Sequence, residues 1–226
     1  LIQTNQMDFP LVIKPDSGLR GLNVKVLKNF SELETLTRDS QRGFILQEIS
    51  SFKMEWGVFF YRYPGKEFGE IFSINQKIFP EVTGDGESTI IDLIMQKPEY
   101  RIRFDLVTLD LQTPLDEVLA QGEKKILVFR GNHSKGCIFK DGSHLLNEKI
   151  NHTITSELSK IEGFFFGRVD IRFESLEELA QGKWDLIEIN GAGSESTNIY
   201  DPDLSLFKVY QILFQQWQLA FKIGTS

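Results

Sequence analysis

The sequence predicts an α+β fold in which antiparallel sheets are combined with separate helices. Two β-rich runs, Glu55 to Tyr63 and Glu67 to Lys77, flank the turn pair Pro64-Gly65, which predicts a hairpin. Two further strand-like runs, residues 164–173 and 184–190, are separated by a polar linker. Helical signals alternate irregularly with these runs, which favours α+β over a repeating βαβ array.

Composition limits the class of protein. A chain of 226 residues with 41% hydrophobic and 12% aromatic residues is expected to be globular. Its net charge of -7 argues against a surface built to bind nucleic acid. The single cysteine, Cys137, rules out an internal disulfide and favours a reducing, cytoplasmic setting. Because residues 204–221, the most apolar C-terminal segment, are interrupted by polar side chains, we expect no membrane partner.

The N-terminal part predicts a small sheet with one helix. Leu11 to Lys14 and Asn23 to Leu27 are strand-like runs on either side of a Gly-containing loop. The sequence Ser-Glu-Leu-Glu at residues 31–34 is a capping-box pattern and predicts a helix that ends near Gln41. Phe44 to Ile49 then predicts a buried strand.

Further elements follow in the larger C-terminal part. In chain order they are a turn over Thr83 to Thr89, a helix over Ile90 to Gln96, a helix that starts at Thr113-Pro114, a strand over Lys124 to Arg130 and a helix over Thr153 to Ile161. A long helix closes the chain, and its aromatic residues recur at spacings of three and four: Phe207, Tyr210, Phe214, Trp217 and Phe221. We expect this aromatic face to pack onto the protein.

Two motifs near the C-terminus place oxygen ligands on neighbouring strands. Arg168 and Asp170 lie two residues apart on one predicted strand, and Glu188 and Asn190 do so on the next. Residues two apart on a strand point to the same face. If the strands are neighbours, two carboxylates and an amide oxygen converge beside a guanidinium, a set that suits Mg²⁺. Two surface strands with polar outward faces are the alternative interpretation.

A second group of polar residues lies near the N-terminus. Lys14 ends a buried strand and precedes a loop in which Gly18 and Gly21 allow the backbone to approach an anion. A lysine in this position can hold a phosphate, although an ordinary solvated lysine is the alternative. Glu48 and Glu55 end and begin successive strands, where they could accept from a nucleobase or a ribose, or simply be exposed.

These motifs, taken in order, resemble those of the ATP-grasp ligases. PLVIKPDSGLRG is similar to the family's phosphate-lysine strand and Gly-rich loop, ILQEISSFKMEW to its hinge, and GRVDIRF with DLIEINGAGSE to its metal-site strands. The seven-residue spacing of Glu48 and Glu55 resembles the adenine and ribose glutamates of D-alanine–D-alanine ligases. PEVTGDGESTIIDLI and RGNHSKGCIFKDGS resemble the ATP-grasp region of cyanophycin synthetase, with Cys137 in place of the second glycine of its Asn-x-Ser-x-Gly-Gly loop.

The resemblance implies a role for each matching residue. Arg168 and Lys14 are implied as catalytic residues, and Asp170, Glu188 and Asn190 as ligands of Mg²⁺ or Mn²⁺. The implied ATP-binding residues are Lys14, Ser17, Gly18, Gly21, Glu48, Ile49, Ser51, Glu55 and Lys77. The implied substrate contacts are Arg130, Asn132 and Ser134. None of the three histidines is given a catalytic role.

The resemblance also implies an architecture and a reaction. Residues 1–50 would form a small lobe and residues 51–226 a large lobe, each with an antiparallel sheet and helices and with the nucleotide between them. The N-terminal substrate lobe of related ligases is expected to be absent. The implied reaction uses ATP to join a carboxylate to an amine through an acyl phosphate, and a homodimer is compatible with it. A non-catalytic nucleotide-binding module, and an ATP-grasp kinase or thiol ligase, are the alternatives.

Overall fold

The computed structural model describes residues 7–16, 23–38, 43–109, 111, 113–128 and 131–226. The chain divides into two compact units, Leu1–Ser51 and Phe52–Ser226. Each unit has a sheet of its own.

The first unit is built on a three-stranded antiparallel sheet. Its elements are β1 (Leu11–Pro15), β2 (Lys25–Leu27), α1 (Phe30–Thr37) and β3 (Phe44–Glu48). β1 lies in the centre and pairs with β2 on one side and β3 on the other. Leu11, Ile13 and Leu27 are almost fully buried, so alternate residues of the central strand form the apolar side of this sheet.

The second unit contains a five-stranded antiparallel sheet. Its elements up to the last sheet strand are β4 (Met54–Tyr61), β5 (Glu70–Ile78), β6 (Glu81–Thr83), α2 (Ile90–Met95), α3 (Pro98–Arg101), α4 (Phe104–Val107), β7 (Lys124–Ile126), β8 (Ile138–Asp141), α5 (Glu148–Leu158), β9 (Phe166–Phe173), α6 (Leu176–Ala180) and β10 (Asp185–Asn190). The strand order is β10-β9-β4-β5-β8, and β6 pairs with β7 in a separate ribbon. The mixture of antiparallel sheets and helices confirms the α+β fold.

The five-stranded sheet has one apolar face. Trp56, Val58, Phe60, Val169 and Ile171 alternate along the two central strands and belong to the main core. Residues of α5 and α6 belong to the same core, so both helices cover this face. A second core lies among α2, α3, α4, β8 and the β6-β7 ribbon. The opposite face carries most of the polar residues of the sheet, together with the buried Phe59.

Two β-bulges decide which residues reach the polar face. In β5, Phe59 is opposite Ser73 while Phe60 is opposite Ile71, so Phe72 is the extra residue. In β10, Leu186 is opposite Ile171 and Glu188 is opposite Asp170, so Ile187 is extra. A one-residue bulge reverses the facing of everything beyond it.

Several sequence predictions for the helices need correction. The predicted helix at Thr113-Pro114 is wrong: residues 113–117 form a turn. The carbonyl groups of Leu115 and Glu117 accept hydrogen bonds from the first amides of α2, so they are used between segments instead of within a helix. The linker over residues 174–183 contains α6, and the strand predicted over Lys124 to Arg130 is shorter, as β7.

Helix starts also differ because asparagines provide the caps. Asn29, and not Ser31, caps α1: its side chain accepts from the Glu32 amide. Asn147 caps α5 by accepting from the amide of Ile150, so this helix begins five residues before the predicted Thr153. Asparagine is as good a cap as serine, and its preferred position before the helix explains both shifts.

The last helix, α7 (Leu206–Gly224), contradicts the expected packing of its aromatic face. Ile212 and Gln216 are its buried residues. Gln216 accepts from the Ser196 amide (2.8 Å) and donates to the Ser194 carbonyl (3.2 Å), which fixes this side of the helix against the preceding loop. The five aromatic residues lie on the outer side, each 60% to 82% exposed.

Within the residues described, no helix combines the length and the apolar character that a membrane span requires.

The turn at Gly84 provides a test of the packing around the β6-β7 ribbon. A Cβ atom on Gly84 would collide with the Ala120 carbonyl oxygen and stand 2.6 Å from the Cβ of Leu119. We expect Gly84→Ala to lower the free energy of unfolding by about 1–3 kcal/mol, because backbone cannot move aside as a side chain can. Gly193→Ala is the matched control, since a Cβ there meets nothing within 4 Å. Equal stability of both variants in urea unfolding would refute the steric explanation.

Candidate functional site

The polar face of the five-stranded sheet brings together several predicted site residues of the second unit. A central row crosses all five strands, because residues directly opposite each other share a face: Asp141, Asn75, Gly57, Asp170 and Glu188. The next row places Lys77 and Arg172 on either side of Glu55. When one face of an antiparallel sheet packs on the core, the other face commonly meets solvent. In this sheet, that other face groups charged and amide side chains.

Four ion pairs link the charged residues of this face. Lys77 Nζ lies 2.7 Å from Glu55 Oε1 and 2.9 Å from Asp170 Oδ2. Arg172 Nε lies 2.7 Å from Glu55 Oε2, and Arg168 Nε lies 3.4 Å from Asp170 Oδ1. We call these five residues the charge network. Its two carboxylates and three cations leave a formal charge of +1, which favours an anionic ligand.

Burial makes the central part of this network sensitive to the loss of a partner. The side chains of Lys77, Glu55 and Asp170 are 5%, 6% and 7% exposed. Burial lowers the pKa of Lys77, but the charges of Asp170 and Glu55 more than offset this, and its pKa lies above the usual value. Lys77 therefore stays charged at neutral pH.

A glycine allows a loop to approach the network closely. A Cβ atom on Gly131 would collide with Oε1 of Glu55 and stand 3.1 Å from Cδ of Lys77. Gly131 belongs to the segment RGNHSKG that resembles a substrate loop. The absence of a side chain lets Gly131 lie directly against Glu55 and Lys77.

The predicted metal ligands share one edge of the polar face. Glu188 lies opposite Asp170, and Asn190 lies opposite Arg168. Glu188 is exposed, and the Asn190 amide nitrogen is buried without a hydrogen-bond partner among the residues described. A carboxylate at the surface, a second carboxylate and an amide oxygen are a donor set that fits Mg²⁺. In the described parts of the chain, no three His, Cys, Asp or Glu side chains are grouped closely enough to form a metal site by themselves.

Arg168 is held at the rim of this edge. Its Nε contacts Asp170, and its Nη1 donates to the carbonyl oxygen of Glu195 (3.1 Å). Its own amide donates to Ser194 Oγ (3.1 Å). These contacts fix the guanidinium and leave it partly accessible, with 18% of the side chain exposed.

The sequence analysis did not find three residues of this face. Arg172 pairs with Glu55, and two neutral residues, Asn75 and Thr197, have buried polar atoms without hydrogen-bond partners within the described ranges. Asn75 is only 1% exposed, and both of its amide atoms are unpaired. Buried polar groups are normally satisfied, so such residues mark a place where a ligand or solvent is accommodated. Asn75 and Arg172 each lie two residues from a predicted site residue, Lys77 and Asp170, which was a usable signal.

In the first unit, Lys14 lies at the end of the central strand. Its Nζ donates to Gln47 Oε1 on the neighbouring strand (2.7 Å). Glu48 is exposed at the end of β3, and Ile49 and Ser51 are exposed in the segment that follows. Ser17, Gly18 and Gly21 lie outside the described residues. The roles of all these residues toward ATP stay predictions.

Of the predicted substrate contacts, Ser134 lies in a 3₁₀ turn over His133–Lys135 and Asn132 caps this turn. Asn132 Oδ1 accepts from both the amide and the hydroxyl of Ser134, each at 2.9 Å, so the two side chains stabilise the turn. Arg130 lies outside the described residues. His133 stacks on Tyr200 with ring centroids 5.2 Å apart. Burial, followed by the charge of Arg103, lowers the pKa of His133 and favours its neutral form.

Comparisons with known proteins support the fold. No family model matches the sequence, and no curated protein matches it. A solved structure of a bifunctional glutathione synthetase from Pasteurella multocida matches 92% of this chain, with a TM-score of 0.50 and 16% sequence identity. The chain has the ATP-grasp fold.

The ATP-grasp match covers only part of the neighbouring protein. The chain spans 31% of the length of that glutathione synthetase. An L-amino acid ligase from Bacillus licheniformis also matches, over 94% of this chain and 39% of its own, with 16% identity and a TM-score of 0.43. The glutathione synthetase match confirms the ATP-grasp fold suggested by the sequence motifs.

The charge network predicts a large stability effect at Lys77. We expect Lys77→Met to lower the free energy of unfolding by about 3 kcal/mol, because Glu55 and Asp170 stay buried with weaker compensation. Lys160→Met is the control, since Lys160 forms a surface ion pair with Glu157 and should leave stability nearly unchanged. Chemical unfolding at pH 7 measures both. A Lys77→Met variant as stable as the control would show that the network does not stabilise the sheet.

Proposed function

We propose that the chain is the nucleotide-binding catalytic part of an ATP-dependent ligase that joins a carboxylate to an amine. The observation that carries this proposal is the charge network on the polar face of an ATP-grasp sheet, which has a formal charge of +1 and in which Asp170 lies opposite Glu188. A fixed cationic surface is suited to a phosphate chain. The neighbouring oxygen donors are suited to the metal that accompanies it.

The proposed reaction has two steps. A substrate carboxylate attacks the γ-phosphate of ATP and ADP leaves, which gives an acyl phosphate. An amine then attacks the acyl carbon, phosphate leaves and an amide bond is formed. Neither step needs a protein nucleophile, so the chain contributes by positioning the reactants and stabilising their charge.

Each site residue has a proposed role in this reaction. Lys77, anchored by Glu55 and Asp170, binds phosphate oxygens, and Arg168 stabilises the charge that develops during transfer. Asp170, Glu188 and Asn190 would hold Mg²⁺, which neutralises phosphate charge when bound. Glu55 orients Lys77 and Arg172, and its further role toward a ribose stays a proposal.

The residues of the first unit and of the substrate loop complete the proposal. We assign Lys14, with Ser17, Gly18 and Gly21, to phosphate binding, and Glu48, Ile49 and Ser51 to the adenine. Arg130, Asn132 and Ser134 would contact the carboxylate or amine substrate.

The direct test measures binding and turnover together. The chain is titrated with ATP by calorimetry, with and without Mg²⁺, and phosphate release is followed in the presence of a panel of amino acids and short peptides. Mass spectrometry identifies the product. An amide product supports the proposal, whereas a phosphorylated acceptor or a thioester assigns a kinase or a thiol ligase. Failure to bind ATP would overturn the proposal for this chain.

Glu188→Gln tests the metal edge. We expect it to reduce the gain in ATP affinity that Mg²⁺ provides, because an amide is a weaker metal ligand than a carboxylate. Affinity measured without Mg²⁺ should change little, since Glu188 has no place in the charge network. Glu157→Gln is the control, an exposed glutamate on α5. An unchanged Mg²⁺ effect in Glu188→Gln would remove this residue from the proposed metal site.

Arg168→Lys separates catalysis from binding. We expect turnover to fall on the order of a hundredfold, because an ammonium cannot bridge two oxygens as a planar guanidinium does. ATP affinity should stay nearly constant, since ground-state binding rests on other residues. Arg101→Lys, at an exposed position of α3, is the matched control. Equal turnover in both variants would exclude Arg168 from the catalytic residues.

A further inference from the structure

The outer side of α7 is an apolar surface that the fold leaves uncovered. Its members, named here the aromatic stripe, are Phe207, Tyr210, Phe214, Trp217 and Phe221. Aromatic side chains present about 150–250 Å² each, so at exposures of 60% to 82% the stripe offers on the order of 700 Å² to solvent. The largest apolar patch of an ordinary monomer is about 300–600 Å². The stripe therefore indicates an interface.

The helix carries apolar residues on two opposite sides. The buried or half-buried residues Val209, Ile212, Gln216, Leu219 and Ile223 follow the same spacing of three and four as the stripe, shifted by two residues, and all but Gln216 are apolar. At about 100° per residue, the two rows lie about 200° apart around the helix. One row packs on the chain itself, and a helix that is apolar on both sides is normally buried on both.

The spacing of the stripe is nearly symmetric about its central residue. Relative to Phe214, the other members lie at positions -7, -4, +3 and +7. Two such helices in antiparallel orientation, related by a two-fold axis at Phe214, place Phe207 beside the partner helix's residue 221 and Phe214 beside its own copy. A two-fold interface requires this self-complementarity. The same residues occupy the a and d positions of a heptad pattern, the seam of a coiled coil.

Area and charge also fit a second copy of the chain. A stable interface buries about 800 Å² on each partner, and the stripe provides nearly this area. Leu206, Leu213, Gln211 and Gln218 flank the stripe, so no charged residues face each other across the pair. The antiparallel orientation brings each positive helix N-terminus near the partner's negative C-terminus.

We infer that a second copy of this chain covers the aromatic stripe, through an antiparallel α7–α7 pair with a two-fold axis at Phe214. This inference is independent of the proposed ligase activity. A membrane surface fits less well, because α7 carries only two basic residues, Lys208 and Lys222, and the net charge of the protein is -7.

Substitution at the axis is the first test. Sedimentation equilibrium of the 226-residue chain should show a dimer, and Phe214→Glu should raise its dissociation constant on the order of 1000-fold, because each partner loses a central aromatic contact and gains a facing charge. Phe68→Glu, at another exposed phenylalanine outside α7, should leave the dimer intact. Thermal unfolding at a concentration where all variants are monomeric checks that Phe214→Glu still folds.

Cross-linking tests the orientation. When Phe207→Cys and Phe221→Cys are mixed under oxidising conditions, the antiparallel pair should give a disulfide between the two variants, whereas neither variant alone should cross-link. The native Cys137 is buried and should not react. Disulfides formed by either variant alone would indicate a parallel pair and overturn the inference. A wild-type monomer, or one that instead sediments with phosphatidylcholine vesicles, would also overturn it and, in the second case, assign the stripe to a lipid surface.

Discussion

The ammonium group of Lys77 lies between the carboxylates of Glu55 and Asp170 and joins the three central strands of the large sheet. Each charge of this set is removed from water, which is unfavourable unless its partners are at hydrogen-bond distance. The strands must therefore keep their register for the charges to remain compensated. Arg172 pairs with Glu55 and Arg168 pairs with Asp170. Because Lys77 pairs with both of these carboxylates, the ion pairs of the polar face depend on this one buried lysine.

The sheet has an apolar and a polar face because successive side chains of a strand point to opposite sides. Regular alternation alone does not explain which residues of β5 and β10 reach the polar face. If Phe72 were paired regularly with Phe59 instead of being the extra residue, Ile74 would turn to the polar face and Lys77 to the core. If Ile187 were paired regularly with Asp170, Glu188 would share the side of Leu186, which packs in the apolar core. The bulges thus assign neighbouring apolar and charged residues to opposite sides of one strand.

The sequence was sufficient for the features that depend on short distances along the chain. The facing of Arg168 with Asp170, and of Glu188 with Asn190, follows from their spacing of two on a strand, and the Pro64-Gly65 turn identified the hairpin correctly. Contacts between distant segments could not be read in this way. The pairing of Glu55 with both Lys77 and Arg172 depends on the registers of two strand pairs and on the bulge. The orientation of α7 was predicted wrongly because both sides are apolar, and the hydrogen bonds of Gln216 to the 194–196 loop select the side that packs.

The central row has a consequence for the synthesis of the protein. Its members come from β4, β5, β8, β9 and β10, and the last of them, Glu188, lies 131 residues after Gly57 in the sequence. A chain emerging from the ribosome can pair β4 with β5 early, because only a short turn separates them. Lys77 cannot pair with Asp170 until β9 has been made, and Glu188 follows later still with β10. Sheets closed by such distant pairings fold slowly. The site is thus completed among the last features of this unit to form, and a nascent chain stopped before β10 has Lys77 and Asp170 but lacks Glu188 and Asn190.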